Sequence, residues 1–401
     1  MPSTSPVRRA GAEPLRFDPV TDAPAPPEPV WVATDADLDA AVEVLRRAER
    51  YALDTEFQGE RSYYPTLALL QISDGERIWL IDPLACDVRH IAPLLEGPGT
   101  MLAHAARQDL EILQREVGTG PARLIDTQVA AAFAGAGNQS LLTLCKRHLG
   151  VALEKGDRLT DWTARPLRES ARRYAALDVA HLHDLADRLR AEIGEERWVW
   201  ALDECEATRV PPEPADPSRA WWRVRGARSL RGERARVAQM LCAWREETAR
   251  ARNVPPRNVI GDLGLDSIIA RQPRSKADLD GCRGVPNDPR SVQAILDAVA
   301  AGLAMDPSGL VTPPDEPDDR GLGAAITLAG ALVGQRARNL GLDPAMVAAR
   351  ADITAIVAGR PGRLDEGWRA QVVGDLVHRL LAGEITLRLT DGGRTLVVDG
   401  D

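Results

Sequence analysis

Two carboxylates stand two positions apart in residues 52–57, a largely apolar run of sequence ALDTEF. The composition is typical of a β-strand, and because side chains alternate between the two faces of a strand, Asp54 and Glu56 should point the same way. Burying two negative charges side by side is costly unless a cation lies between them, and a divalent metal ion is a common solution. The alternative, a solvated surface pair, fits the motif equally well when it is taken alone.

Two further segments could bring chemical groups to the same place. Asp109 lies in the first turns of a predicted helix, where its charge would also favour the helix N-terminus. Tyr174 and Asp178 stand four positions apart in a strongly helical stretch, so they should share one face. A phenol beside a metal-bound carboxylate can orient an attacking water, although a half-buried tyrosine on an amphipathic helix gives the same pattern. His104, at the end of a predicted strand, is interpreted as a structural histidine.

The elements that must position these residues alternate between helix and strand. Residues 32–49 predict an amphipathic helix that starts at Thr34 or Asp35, with a buried face that comprises Leu38, Ala41, Val42 and Leu45. Strands are predicted at 51–57, 67–72, 77–81, 101–103 and 123–126, with helices at 105–117 and 127–133. Short links between the first three strands favour an antiparallel meander, and the later alternation favours a mixed α/β sheet. Helices dominate from there to about residue 205.

Charge is distributed unevenly along the 401 residues, although the net charge is only -9. Residues 219–257 contain eleven arginines against three acidic residues, a local charge of +8, so the rest of the chain carries about -17. This distribution suits a protein that binds phosphates with one surface and cations with another, although a solvated helical face is the alternative. The five cysteines lie far apart, with no Cys-x-x-Cys and no histidine cluster, which argues against zinc and disulfides and predicts inert thiols.

The length predicts two or three domains. Neither a signal-peptide-like apolar run nor a stretch of membrane-spanning length occurs, so we expect a soluble, cytoplasmic protein. Proline-dense segments mark the predicted boundaries because proline cannot continue a helix. The predicted parts are a disordered segment 1–30, a first domain 31–206, a linker 207–218, a helical bundle 219–303, an acidic linker 304–320, and a second helical domain 321–401 that ends in a hairpin.

The order of these motifs resembles the four-carboxylate, tyrosine-type 3'-5' exonucleases and, more closely, the ribonuclease D family. The matching motifs are Asp54-Thr55-Glu56-Phe57, Tyr63-Tyr64-Pro65, Leu70-Gln71, His104 to Leu110, Asp126-Thr127-Gln128, Asp161-Trp162, Arg165-Pro166-Leu167 and Tyr174-Ala175-Ala176. They cover residues 31 to 205. Residues 219–303 resemble the helicase-and-ribonuclease-D C-terminal (HRDC) domain, and residues 321–401 resemble, by position, a divergent second copy.

The resemblance implies an α/β, ribonuclease H-like exonuclease domain, a mixed sheet flanked by helices, followed by all-α helical bundles. It implies two metal ions, with Asp54 bridging both, Glu56 and Asp178 completing the first site, and Asp109 supporting the second directly or through water. Tyr174 would orient the attacking water, and 5'-mononucleotides would leave one at a time. Oxygen ligands without histidine or cysteine select Mg²⁺ or Mn²⁺ rather than zinc.

The predicted function is a metal-dependent 3'-5' exoribonuclease that trims structured RNA, with transfer RNA precursors as the implied substrate, and a monomer is favoured. A DNA exonuclease of the same fold is one alternative. A non-catalytic scaffold is another, which the complete set of carboxylates and the tyrosine disfavours. Deleting residues 207–401 is expected to leave an active nuclease with weaker affinity for long RNA, unless residues 219–303 buttress the catalytic fold.

The predicted RNA contacts lie in the arginine-rich bundle. Trp221 and Trp222 could stack on bases beside these arginines, or they could anchor the linker. The predicted contact residues are Arg223, Arg225, Arg228, Arg231 and Arg257.

Overall fold

The computed structural model describes residues 27–59, 61–153, 160–213, 215–313 and 320–400. Most of the predicted disordered segment 1–30 and part of the predicted linker 304–320 lie outside these residues. We refer to residues 27–213 as the sheet domain, residues 215–313 as the middle bundle and residues 320–400 as the C-terminal segment. The strands are β1 (Val30–Val32), β2 (Arg50–Gln58), β3 (Thr66–Ser73), β4 (Ile78–Ile81), β5 (Thr100–Ala103), β6 (Leu124–Asp126), β7 (Thr386–Thr390) and β8 (Thr395–Asp399).

The sheet domain is built on one six-stranded sheet of order β1-β4-β3-β2-β5-β6. Strands β2, β3 and β4 form the predicted antiparallel meander, whereas β5 runs parallel to β2, β6 parallel to β5, and β1 parallel to β4. The prediction of a mixed sheet is therefore confirmed. Strand β2 lies between β3 and β5, so the strand that carries Asp54 and Glu56 is central. The predicted C-terminal hairpin is also confirmed as the antiparallel pair β7 and β8.

Helices flank the sheet and dominate the rest of the described chain. In the sheet domain they are α1 (Asp35–Leu45), α2 (Ala92–Leu95), α3 (Arg107–Glu116), α4 (Thr127–Phe133), α5 (Leu141–Leu144), α6 (Glu169–Ala180) and α7 (Leu182–Arg209). In the middle bundle they are α8 (Gly232–Arg252), α9 (Pro256–Val259), α10 (Asp262–Arg271), α11 (Lys276–Leu279) and α12 (Pro289–Ala304). In the C-terminal segment they are α13 (Gly323–Leu340), α14 (Pro344–Val347), α15 (Arg350–Val357), α16 (Gly367–Arg369) and α17 (Asp375–Leu381).

The predicted helix 32–49 was too long at both ends. Val32 belongs to β1, a short strand that the sequence did not reveal, and α1 ends at Leu45. The Thr34 hydroxyl accepts a hydrogen bond from the Asp37 N–H, so Thr34 is the N-cap. The predicted buried face of this helix, Leu38, Ala41, Val42 and Leu45, is confirmed. The predicted start of the linker 207–218 also differs from the structure, because α7 continues to Arg209.

Each face of the sheet packs against its own layer of helices. One hydrophobic cluster combines Ala52 with apolar residues of α4, α6 and α7. The other combines Leu53 with apolar residues of α1, α2 and α3. Because side chains alternate along β2, Asp54 and Glu56 share the face of Ala52, whereas Thr55 shares the face of Leu53. The carboxylates therefore face α6, and Thr55 faces α3.

The tryptophan pair of the middle bundle has an anchoring role in the structure. Trp221 is only 1% exposed, within the core formed with α8, α10 and α12. The indole N–H groups of Trp221 and Trp222 both donate to the Val311 carbonyl, at 3.1 and 3.0 Å. Gln239 fixes the same segment, since its side chain accepts from the Val311 N–H and donates to the Gly309 carbonyl. The idea that Trp221 stacks on bases is therefore wrong.

The C-terminal segment shares a hydrophobic core with the sheet domain. The ring of Trp368 lies 5.1 Å from that of Phe133 and 5.6 Å from that of Trp200, between centroids. Buried Arg369 pairs with Glu204, to which the Trp368 indole also donates. Deleting residues 207–401 would expose this core, so we expect the deletion to lower stability, and the expectation that it leaves an active nuclease stays a prediction.

The described residues include no helix with the length and apolar composition that a membrane span requires. Four of the five cysteines are buried, and all five are free thiols. Burial raises the pKa of the Cys86, Cys145, Cys205 and Cys242 thiols, which agrees with the prediction of inert cysteines.

Candidate active site

Three carboxylates converge where β2 meets α6. Asp54 and Glu56 project from β2 on the face that packs against α6, and Asp178 projects from that helix. One carboxylate oxygen of each lies within 4.8 Å of those of the other two, and all three side chains are partly buried. The strand alternation predicted for Asp54 and Glu56 thus produces a compact group, completed by a helix more than a hundred residues later.

Helix α6 places Tyr174 and Asp178 by its apolar pattern. Its buried residues are Ala171, Ala175, Ala176, Leu177 and Val179, which fix the helix against the sheet. Tyr174 and Asp178 are one turn apart, and the Tyr174 hydroxyl hydrogen-bonds to the Asp178 carboxylate. The phenol oxygen is therefore held at the edge of the carboxylate group.

Asp109 reaches the site from the other side of the sheet. It lies on α3, in the layer that packs against Leu53, and is 6% exposed. The Thr55 hydroxyl donates to its Oδ1 at 2.5 Å. Asp109 is not one of the three clustered carboxylates, but its charge contributes to the pKa shifts of Asp54, Glu56 and Asp178. The structure thus gathers three of the four predicted ligands and places the fourth beside them, linked through Thr55.

Asp126 fixes the start of the helix that carries Asp109. Its carboxylate accepts from the N–H groups of Ala105 and Ala106, at 2.9 and 2.8 Å. Ala105 has a φ of 58°, a left-handed conformation that costs about 1 kcal/mol or more for a residue other than glycine. That conformation explains why α3 starts at Arg107 and not at the predicted Ala105, and the two hydrogen bonds offset its cost.

His104 is a structural residue, as predicted. Its Nε2–H donates to the Gln139 carbonyl at 3.1 Å, and its Nδ1 lies 3.0 Å from the Thr127 hydroxyl. Burial lowers the pKa of His104, so the ring is neutral at pH 7 and both nitrogens are engaged.

Gln71 holds Asp54 from the neighbouring strand. Gln71 on β3 is paired in register with Asp54, is fully buried, and donates from Nε2 to Asp54 Oδ2 at 3.0 Å. Its Oε1 has no hydrogen-bond partner among the described residues. The family motif included Gln71, but sequence reasoning gave it no role. A polar residue in the apolar strand TLALLQIS was the signal that could have revealed it.

Burial dominates the electrostatics of the group. It raises the pKa of Glu56 to about 8, with added effects of the Asp178 and Asp109 charges. It raises the pKa of Asp178 to about 7 and that of Asp109 to about 6. The pKa of Asp54 is raised well above its usual value by burial and then by the charges of its three neighbours. So many buried carboxylates repel one another unless protons or cations compensate them.

The group fits divalent metal ions. Its donors are carboxylate oxygens without histidine or cysteine, the set that Mg²⁺ and Mn²⁺ prefer. Burial, with added repulsion from neighbouring carboxylates, raises the pKa values of these groups, and a bound cation would offset both effects. The site is thus an acidic cluster whose donors suit a divalent metal ion.

A pocket of about 870 Å³ opens beside the cluster. Its lining includes Phe57, which follows Glu56 in sequence, and Trp162, whose ring centroid lies 6.3 Å from that of Tyr174. The lining residues are Phe57, Gln58, Gly59, Arg61, Ser62, Pro65, Thr66, Gln108, Thr160, Asp161, Trp162 and Thr163. The pocket has room for a nucleotide next to the carboxylates.

A partly buried ion pair anchors the wall that contains Trp162. The Arg165 guanidinium binds both carboxylate oxygens of Asp82, at 2.6 Å each. The same guanidinium donates to the Trp162 and Ala68 carbonyls, at 2.8 and 2.6 Å. Asp82 is 4% exposed, so breaking the pair would leave a buried charge uncompensated. Arg165 therefore ties the pocket wall to the sheet.

The predicted RNA-binding arginines lie away from the carboxylates, on the surface of the middle bundle. Arg223, Arg225, Arg228, Arg231 and Arg257 are all exposed. Arg231 donates to the Arg228 and Leu230 carbonyls, and among the described residues Arg223, Arg225 and Arg257 form no ion pair. These side chains are accessible to phosphates, but the structure does not bring them together with the carboxylate cluster.

The chain is similar to proteins that are named ribonuclease D. Residues 29–194 match the family model described as 3'-5' exonuclease, and residues 234–294 match that of the HRDC domain. The chain is 34% identical over 387 residues to ribonuclease D of Gluconacetobacter diazotrophicus, covering 93% of this chain and 96% of that protein. It is 35% identical over 375 residues to ribonuclease D of Jannaschia sp., covering 90% and 97%.

A solved structure agrees with these sequence relatives. The fold is similar to that of Escherichia coli RNase D, described as an exoribonuclease involved in structured RNA processing. The TM-score is 0.77 at 30% identity, over 89% of this chain and 99% of that one. The predicted fold class and enzyme class are therefore confirmed. The chain belongs to the ribonuclease D family of 3'-5' exoribonucleases.

Proposed function

We propose that this chain trims the 3' ends of structured RNA, including transfer RNA precursors, by hydrolysis at a site for two divalent metal ions. The observation that carries the proposal is the group formed by Asp54, Glu56 and Asp178, with Asp109 beside it. Four carboxylates approaching from both faces of one strand suit two cations better than one. The description of the Escherichia coli relative as acting on structured RNA supports the substrate class.

Each carboxylate has a distinct proposed role. Asp54, held by Gln71, would bridge the two ions, and Glu56 and Asp178 would complete one site. Asp109, held by Thr55, would support the other. When bound, Mg²⁺ or Mn²⁺ would neutralise the phosphate charge and supply an activated water.

Tyr174 would act by hydrogen bonding and not as a base. Burial and the neighbouring carboxylates raise the pKa of its phenol, so it stays protonated at neutral pH. A protonated phenol held on Asp178 can orient the attacking water towards the phosphorus atom. The released product would be a 5'-mononucleotide, because the water attacks from the side opposite the departing 3' oxygen.

The proposed division of labour follows the parts of the chain. Residues 31–206 would be the catalytic domain, residues 219–303 an HRDC-like domain that binds RNA, and residues 321–401 a second, divergent HRDC-like helical domain that ends in a hairpin. Exposed Arg223, Arg225 and Arg257 would contact phosphates and release counterions, which makes binding salt-dependent. The predicted linkers at 207–218, of which α7 includes residues 207–209, and at 304–320 would connect these parts.

The test compares substrates of matched sequence. Purified protein is incubated with Mg²⁺ or Mn²⁺ and a transfer RNA that carries a 3' extension, and separately with single-stranded DNA of the extension's sequence. We expect stepwise shortening of the RNA and release of 5'-mononucleotides. Cleavage of the DNA with equal kcat/KM would favour the DNA exonuclease, and binding without cleavage of either would favour the scaffold.

A further inference from the structure

The connection between β2 and β3 forms one wall of the pocket. Gly59, Arg61, Ser62 and Pro65 line the pocket directly, next to the strand that carries Asp54 and Glu56. Arg61 is exposed, so its guanidinium is accessible to a ligand in the pocket. The position of this connection therefore affects how a substrate end is held.

The outer side of this connection is held by the middle bundle. Asn253 Oδ1 accepts from the backbone N–H groups of both Tyr63 and Tyr64, at 3.2 and 3.1 Å. The Tyr63 hydroxyl donates to Glu246 Oε1 at 2.5 Å and accepts from Arg250 Nε at 2.9 Å. These bonds join residues that lie more than 180 positions apart in sequence.

Asn253 is preorganised for this contact. It caps the C-terminus of α8 with a φ of 48°, a left-handed conformation that asparagine and glycine adopt most readily. Its own N–H is used within the helix end, which leaves the side-chain oxygen to accept from the connection. Glu246 is 5% exposed, so the Tyr63 hydroxyl also satisfies a buried carboxylate.

The inner side of the connection is held by the active-site helix. Arg115 on α3 donates from Nη2 to the Pro65 carbonyl at 2.5 Å, and its guanidinium lies 5.4 Å from the Tyr64 ring centroid. The same helix carries Asp109 and the pocket residue Gln108. The connection is thus fixed between α3 and α8, one at the active site and one in the HRDC match.

We propose that Asn253, Glu246 and Arg250 are positioning residues, through which the HRDC domain holds the pocket wall in place for the RNA 3' end. The inference rests on the proposed function, in which this pocket receives that end. It assigns the HRDC domain a role separate from its arginine surface. The domain then supports cleavage of substrates that are too short to reach those arginines.

The test is a pair of substitutions at one position. Asn253→Gly keeps the left-handed cap and removes the oxygen that accepts from the connection, whereas Asn253→Asp keeps an acceptor there. On a fluorescent tetranucleotide we expect Asn253→Gly to raise KM about tenfold, because two hydrogen bonds are lost, with kcat changed by less than about twofold. Asn253→Asp should restore KM to within about twofold of wild type.

Two more measurements separate positioning from folding and from RNA contact. The inhibition constant of 5'-AMP, a product that occupies only the pocket, should rise in Asn253→Gly in parallel with KM. Tyr63→Phe, which keeps the ring and loses the hydroxyl, should act in the same direction. Glu247→Gln, a change at an exposed residue of the same helix, should alter none of these values.

Several results would overturn the inference. One is an unchanged KM for the tetranucleotide in both Asn253→Gly and Tyr63→Phe, and another is an equal defect in Asn253→Gly and Asn253→Asp. A defect confined to long RNA would assign Asn253 to direct RNA contact. If the proposed function fails, Asp54→Asn remains active. That result is separate from the comparison of KM between Asn253→Gly and Asn253→Asp.

Discussion

Binding of divalent metal ions should release protons near neutral pH. In the metal-free protein, burial raises the pKa of Asp109 to about 6, of Asp178 to about 7 and of Glu56 to about 8. A carboxylate binds a metal ion in its deprotonated form, so protons held by these groups must leave when the ions enter. Metal affinity should therefore rise with pH.

The size of the effect follows from these pKa values. At pH 7 Glu56, Asp178 and Asp109 hold about 0.9, 0.5 and 0.1 proton, respectively, so roughly 1.5 protons should be released. Because the slope of log affinity against pH equals the number of protons released, affinity should rise about 30-fold per pH unit near neutrality. Between pH 6 and pH 8 the total change should be about 1,000-fold. Asp54, whose pKa is also raised, adds to this trend.

Calorimetry measures the proton count directly. Mg²⁺ is titrated at pH 7 into two buffers with different ionisation enthalpies, and the difference in observed enthalpy gives the protons released. The matched variant Glu56→Gln removes a group whose pKa is raised to about 8, so the count should fall by about one. An affinity that stays constant between pH 6 and pH 8, with no proton release in either buffer, would refute the reasoning.

Three other predictions follow from the same structure. Raised pKa values of Glu56, Asp109 and Asp178 favour the metal-free fold fully below about pH 4 and progressively less as pH rises towards 8. The melting temperature without metal should therefore fall over this pH range, and added Mg²⁺ should reverse the loss. A melting temperature that rises with pH would contradict this prediction. Tyr174→Phe should lower kcat with little change in KM, since the hydroxyl orients water and does not bind RNA; an unchanged kcat in steady-state assays would reduce Tyr174 to packing. Trp368→Ala should lower the free energy of unfolding by about 3–5 kcal/mol in denaturant titration, because the ring packs between Phe133 and Trp200. A loss under about 1 kcal/mol would mean that the C-terminal segment folds independently of the sheet domain.

The sequence predicted side-chain positions best where the periodicity of a single strand or helix determines which face a residue occupies. Alternation along β2 placed Asp54 and Glu56 on one face, and helical spacing placed Tyr174 beside Asp178. The sequence did not reveal that Asp109 lies on the opposite face of the sheet, where it accepts a hydrogen bond from Thr55. This position depends on which layer of helices covers each face of the sheet. The residues were identifiable from sequence, whereas their arrangement required the sheet order.

Contacts between distant segments were the part that the sequence did not predict. Strand β1 has only three residues and is defined by pairing with β4, nearly fifty positions later. The pattern around Trp368 predicted burial but not its partners Phe133 and Trp200. The contact of Asn253 with the Tyr63-Tyr64 backbone likewise depends on how two domains dock. A hydrophobic period identifies a buried face and leaves its partner undetermined.

The most direct test of the central claim is the activity of Asp54→Asn on RNA with a free 3' end. This substitution keeps the shape of the side chain and removes the charge that would bridge the two ions. In a mononucleotide-release assay with Mg²⁺, we expect cleavage to fall at least about 1,000-fold, as removal of a transition-state interaction predicts, while RNA affinity stays within about twofold. Chelation of divalent metal should abolish wild-type activity to the same extent. Substantial cleavage by Asp54→Asn, or by wild type without divalent metal, would contradict the assignment of this carboxylate group as the catalytic centre.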